Sequence, residues 1–149
     1  MMYEKLILPT DGSECSKIGV EEGLWMAKTL GIKAIAVYVI DTSEYEGLHR
    51  ESIKDSARKG LKHVGEAALE DVRHKAHELG VEIETKLLLG KPYKKITELA
   101  DEKDVIYISS HGASGFTRLL VGSTTDRVIK HANCTVAVVS GKYSTSPNE

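Results

Sequence analysis

Cysteine is scarce in this chain of 149 residues. There are two, Cys15 and Cys134, with no C-x-x-C and no metal-ligand spacing around them. That excludes a disulfide framework and a cysteine-bound metal, and both read as small buried hydrophobes in a reducing compartment. Long apolar runs are also lacking. None approaches the roughly 20 residues of a membrane span, and the apolar part of the opening MMYEKLILPTDG is too short for a secretory leader. The expectation is a soluble, cytoplasmic chain with no membrane partner. No charge sign dominates: 20 basic against 22 acidic residues leave a net charge of −2. Without a clustered basic face there is no footprint for nucleic acid. The phosphate-binding lysine motif G-x-x-x-x-G-K-[S/T] is absent as well.

What is present alternates between two kinds of segment. Short apolar runs of strand length are Lys5–Pro9 (KLILP), Ala34–Ile40 (AIAVYVI), Val81–Leu89, Val105–Ser109 and Thr135–Val139 (TVAVV). Runs of helical period lie between them. The first starts at Ser13 and ends near Leu30, with Gly19, Gly23 and Ala27 on a face that packs on the sheet and Ile18 and Trp25 on its flanks. Glu51–Leu79 carries one stripe through Ile53, Ala57, Leu61, Val64, Ala68, Val72, Ala76 and Leu79. A short helix runs from Tyr93 to about Lys103, with Ile96, Leu99 and Ala100 inward. A last helix runs from Thr124 to about His131, with Val128 and Ile129 inward. The joint A-x-x-L-G-[I/V] occurs twice, at Ala27–Ile32 and Ala76–Val81, and is the signature of a glycine C-cap leading into a strand. Asp41 to Arg50 reads as a loop. No linker divides the chain, so residues 1–140 form one α/β domain and 141–149 a frayed polar tail.

Alternating strand and helix with short joints predicts a single doubly wound, five-stranded parallel sheet with helices on both faces. Ligands in such sheets bind past the strands' carboxyl ends where strand order reverses. Two strand ends are small and polar: Pro9-Thr10-Asp11-Gly12 and Ser109-Ser110-His111-Gly112. Placing them side by side gives the order 3-2-1-4-5. After the second comes a glycine loop, then Gly122 and a helix opening with Ser123 as N-cap and Asp126 at capping-box spacing. Strand, glycine loop and helix start aim backbone N–H groups at a phosphate. Plainer roles stand beside this one. Glycine loops also serve as turns, Asp11 and Thr10 are turn formers, His111 suits a loop hydrogen bond, and Arg118 suits a solvated surface. Asp126 would repel a phosphate. His74 and His77 read as surface histidines, and Asp41 as a loop cap.

Taken together, P-T-D-G-S at Pro9–Ser13, V-Y-V-I-D at Val37–Asp41, S-S-H-G-A-S-G-F-T-R-L-L-V-G-S at Ser109–Ser123 and N-C-T-V-A-V-V at Asn133–Val139 resemble the universal stress protein family. The family's nucleotide-binding branch carries Gly, two residues, Gly, nine residues, then Gly and Ser or Thr. Gly112, Gly122 and Ser123 match; the first glycine is replaced by Ser109. The resemblance implies ATP or AMP as ligand, possibly with Mg²⁺ or Mn²⁺. It places Val39 and the first-strand end (Pro9, Thr10) against the adenine, and Asp11 on the ribose or base. Ile108, Ser109 and His111 would stand at the second strand tip, and Gly112, Gly122, Ser123 and Thr124 around the phosphates. It also implies a homodimer through the Thr135–Val139 edge, and a stress-response or signalling role. The metal gets no ligand set from the protein alone, and no residue is assigned as catalytic. Two alternatives stay open. One is a slow ATP hydrolase or nucleotidyl-transfer enzyme, against which stand the missing S-G-G-x-D-S loop, the missing H-I-G-H pair and the lack of a base with a water-positioning group. The other is a dimeric interaction protein without nucleotide, which Ser109 keeps in play.

Overall fold

The structure, a computed structural model, describes residues 2–45, 51–111 and 121–140, apart from the side chains at 44, 45, 52 and 53. Gly112, Gly115, Arg118, the side chain of Ile53 and the tail 141–149 lie outside the described residues. Five parallel strands form one sheet in the order β3-β2-β1-β4-β5. They are β1 (Lys5–Pro9), β2 (Lys33–Asp41), β3 (Ile83–Gly90), β4 (Val105–Ser109) and β5 (Thr135–Val139). Between them run α1 (Glu14–Leu30), α2 (Glu51–Leu79), α3 (Pro92–Leu99) and α4 (Ser123–His131). The expected fold and strand order are the observed ones.

The central strand explains why the core divides in two. KLILP alternates its buried side chains across the sheet. Leu6 and Leu8 join Val20, Leu24 and Ala27 of α1 and Leu69, Val72 and Ala76 of α2. Ile7 joins Ile106 and Ile108 of β4, Ile96 of α3 and Val128 of α4 on the other face. Leu6, Ile7 and Leu8 are fully buried, worth roughly 2 kcal/mol each over an exposed position.

Local signals set the helix ends. The Ser13 hydroxyl caps α1 by accepting from Ser16 N at 3.2 Å. The repeated glycine joint is one motif used twice: Ile32 N donates to Ala27 O at 3.1 Å and Val81 N to Ala76 O at 2.9 Å, around Gly31 and Gly80 at positive φ. Gly19 and Gly23 let α1 lie directly on β4 and β1. A Cβ on Gly19 would stand 2.8 Å from Ser109 N, and one on Gly23 would meet Leu8 and Tyr107.

Several expectations fail in detail. Trp25 is 49% exposed, because two residues past Gly23 is about 200° around a helix and points outward. Val64 is likewise 50% exposed. The inward stripe of α2 runs through Gly65, Leu69, Val72 and Ala76, so Val64 falls on its flank. Ile129 sits one residue from the buried Val128 and is exposed. Cys15 and Cys134 are half-buried, and Cys134 packs at the margin of the second core. α3 stops at Leu99, β3 starts at Ile83, and β2 continues through Asp41. A 3-10 turn, Thr42–Tyr45, opens the expected loop, whose residues 46–50 lie outside the description. Asp41 caps that turn, its Oδ1 accepting from Ser43 N and Ser43 Oγ at 2.9 and 2.6 Å.

At the amino end of the sheet, Asp104 is fully buried. Its Oδ2 accepts from Lys5 Nζ and Asp101 N, both at 2.7 Å. The hydrogen bond to Asp104 holds the Lys5 ammonium above the ordinary lysine range, against the opposing effect of burial. Among the described residues no helix is long and apolar enough to cross a membrane.

Candidate functional site

The carboxyl ends of β1, β2 and β4 meet the start of α4 around a cavity of about 260 Å³. This is the place where the strand order reverses, since β1 connects outward to β2 while β4 lies on its other side. Its apolar walls are Pro9, Val37, Val39, Pro92, Ile96 and Ile108. Its polar groups come from Thr10, Asp11, Ser16, Asp41, Ser109 and His111, and from Gly122 to Thr125.

Strand register explains what Val39 offers. Thr10 N donates to Val37 O, while Ala34 N donates to Glu82 O at the entry to β3, both at 2.9 Å. Odd-numbered residues of β2 therefore turn their peptide groups toward β1, and even-numbered ones toward β3. The chain leaves the ladder after Thr10: Gly12 N turns back to the Thr10 hydroxyl at 3.1 Å. The next odd residue, Val39, consequently presents its N–H and C=O in the sheet plane with no strand opposite among the described residues. A flat heterocycle with an adjacent donor and acceptor matches such an edge, and the aliphatic walls suit its faces.

The opposite end of the cavity is formed by the start of α4. α4 has Gly122 as N-cap with no side-chain cap, so its first N–H groups have no internal acceptor from a cap side chain. The expected Ser123 cap is thus corrected: Ser123 is the first helical residue, and Asp126 N donates to Gly122 O at 2.9 Å in the ordinary helical pattern. Asp126, the residue expected to repel a phosphate, is engaged by Lys130 at 2.9 Å. His111 lines the same end. Its Nδ1 meets Ser110 Oγ at 3.0 Å, and its Nε2 is buried without a partner among the described residues. A buried ring nitrogen left unpaired is costly unless something else meets it.

Ten expected site residues line this one cavity: Pro9, Thr10, Asp11, Val39, Ile108, Ser109, His111, Gly122, Ser123 and Thr124. Gly112 lies outside the described residues. Not all of them offer side chains. The Thr10 hydroxyl is tied up with Ser16 Oγ at 3.1 Å and Gly12 N. Asp11 Oδ1 accepts from Ser13 N at 2.9 Å, as an Asx turn does. Val37, Asp41, Ser16, Pro92, Ile96 and Thr125 went unassigned. The period of two from Val39 reaches Val37 and Asp41, but only the packing of α3 brings Pro92 and Ile96 here. A second depression, about 200 Å³ between α1 and α2, is walled by Val20, Val64, Ala67, Ala68 and Val72 and rimmed by Lys17, Asp71 and Lys75. No orphaned buried polar atom belongs to any residue lining it. His74 and His77 are exposed on α2, where His74 Nε2 meets Glu78 at 3.1 Å.

Comparison with known proteins points one way. The model of the family described as the universal stress protein family matches residues 2–140. Universal stress protein MJ0531 of Methanocaldococcus jannaschii is 39% identical over 140 residues, covering 93% of this chain and 82% of that one. The solved structure of MJ0577 is 28% identical with a TM-score of 0.81, covering 97% of this chain and all of that one. A universal stress protein solved in complex with cAMP shares the fold at 23% identity and a TM-score of 0.68, over 95% of this chain and 99% of that one.

Proposed function

The chain belongs to the universal stress protein family, and we propose that it is an adenine-nucleotide-binding module, taking ATP or AMP, that serves stress response or signalling as a dimer. The observation that carries this reading is the polarity of the cavity. At one end, aliphatic walls flank the unpaired peptide edge of Val39. At the other lie the start of α4, without a side-chain cap, and the buried His111 Nε2, which has no partner among the described residues. Adenine fits the first end, its N6 amine facing the Val39 carbonyl and N1 the Val39 N–H. A phosphate fits the second, accepting from the α4 amides and His111. The ribose lies between, within reach of Asp11.

Support also comes from the fold relative that binds cAMP, an adenine nucleotide. Mg²⁺ or Mn²⁺ would ride on the nucleotide's phosphates, because the described residues supply no cluster of three candidate ligands. Binding would alter the surface shown to a partner. The dimer would form across β5. That strand is a sheet edge, with Val138 40% exposed, and exposed apolar edges are generally paired or covered.

Thermal unfolding with AMP, ATP and GMP tests the reading. Ligand at about 100 times its Kd stabilises by roughly 2.7 kcal/mol. AMP or ATP should raise Tm and GMP should not, since its O6 and N1–H reverse the donor and acceptor that Val39 matches. Equal shifts with GMP would remove the role given to Val39.

A further inference from the structure

Ser109 stands where the family's nucleotide-binding pattern has its first glycine, and it is 94% buried at the phosphate end of the cavity. Its Cβ faces α1 at a position that is itself bare: a Cβ on Gly19 would lie 3.2 Å from it. Its hydroxyl donates to His111 O at 2.9 Å. With that bond, three successive carbonyls at this corner each have an internal donor. Thr125 Oγ donates to Ser109 O at 2.8 Å, Gly122 N to Ser110 O at 2.7 Å, and Ser109 Oγ to His111 O. Carbonyl oxygens carry negative partial charge. A loose one beside an anion site either repels the anion or must be turned away at a cost when it binds.

We infer that Ser109 is a positioning residue that makes good the missing glycine: its hydroxyl holds the His111 carbonyl away from the phosphate, and Gly19 provides the room its side chain needs. The inference rests on the nucleotide reading above. Ser109 does not touch the phosphate itself. It acts through His111, whose ring is held from the other side by Ser110 Oγ. Glycine at 109 would free the space and lose the latch.

Calorimetric titration of the full chain with AMP and with adenosine separates the possibilities, using wild type, Ser109→Gly, Ser109→Ala and Thr125→Val. The last variant frees the neighbouring carbonyl and stands in if the others fold poorly. The latch predicts AMP binding weakened about three- to tenfold in each variant, with adenosine, which has no phosphate, unaffected. Ser109→Gly binding AMP as tightly as wild type, or more tightly, would overturn the inference and make the side chain an obstacle. Equal losses for AMP and adenosine would also overturn it, because they would mark a general structural role. Wild type that binds neither ligand removes the nucleotide reading, and the inference with it, before any variant is compared.

Discussion

Gly19→Ala sets helix propensity directly against packing on strand backbone. Alanine stabilises a helix interior by about 1 kcal/mol over glycine. Gly60, on α2, has nothing within 4 Å of where a Cβ would stand, so Gly60→Ala keeps that gain and raises Tm by about 3 °C for a domain of this size. At Gly19 the same methyl would sit 2.8 Å from Ser109 N. The obstacle is strand backbone, so α1 or β4 must move by several tenths of an ångström. Overpacking of this kind costs about 1–3 kcal/mol, which cancels the propensity gain and leaves Gly19→Ala about 1 kcal/mol less stable, with Tm lower by about 3 °C. Circular dichroism melts of the two variants supply the comparison, and Trp25, the single tryptophan, reports on α1 directly. Displaced β4 also carries Ser109 with it, so AMP affinity should fall in Gly19→Ala and hold in Gly60→Ala. If both variants melt above wild type, α1 does not rest on β4 as described, and the reasoning fails.

Other perturbations have equally definite outcomes. Asp104→Ala leaves the Lys5 ammonium, with only 17% of its side chain exposed, without its buried partner. Chemical denaturation should show a loss of about 3 kcal/mol; a loss below about 0.5 kcal/mol, the surface-mutation range, would mean the pair is solvated. Because Lys5 is raised in the folded chain, its contribution is fully present below the ordinary value of 10.5 and is lost as pH climbs through the higher folded value. As pH rises, the stability gap between wild type and Lys5→Met should therefore persist through neutral pH and close on the alkaline side, and a gap that closes near neutral pH contradicts the assignment. Val138→Lys places a charge on the exposed β5 edge, and sedimentation should show wild type as the proposed dimer and the variant as a monomer with its fold intact; a dimer in both moves the interface elsewhere, and a monomeric wild type removes the dimer. Burial pushes the Cys134 thiol up from its ordinary value. Iodoacetamide at mildly alkaline pH should therefore alkylate it more slowly than a free cysteine, and a rate equal to glutathione's would show the site open.

The fold was legible where local chemistry and position agree. The apolar run after Lys5 in KLILP, the glycine joints at Gly31 and Gly80, and the two polar strand tips together define a parallel sheet and its order. Less legible was which way each helix is turned. Trp25, Val64 and Ile129 each lie 100° to 200° from an inward residue, a difference set by tertiary packing rather than by the composition of the helix. At the site, Ser123 looked like a cap because its residue type suits one, whereas Gly122 holds that place and leaves the first turn open. Asp41 and Val37 follow from the period of Val39. Pro92 and Ile96 arrive from α3, and the Thr125 hydroxyl reaches back sixteen residues to Ser109 O, so nothing local in the sequence announces them. Sequence reading gave Thr10 a place in the site. Its backbone is there, but its hydroxyl serves the turn.

The most direct trial of the account is calorimetric titration of the purified chain with AMP, alongside Gly122→Val, which places a branched side chain at the mouth of α4. The account predicts saturable binding of one AMP per chain, abolished in the variant while its melting temperature and oligomeric state stay those of wild type. An absence of heat at millimolar AMP in wild type, or unchanged affinity in Gly122→Val, would contradict it.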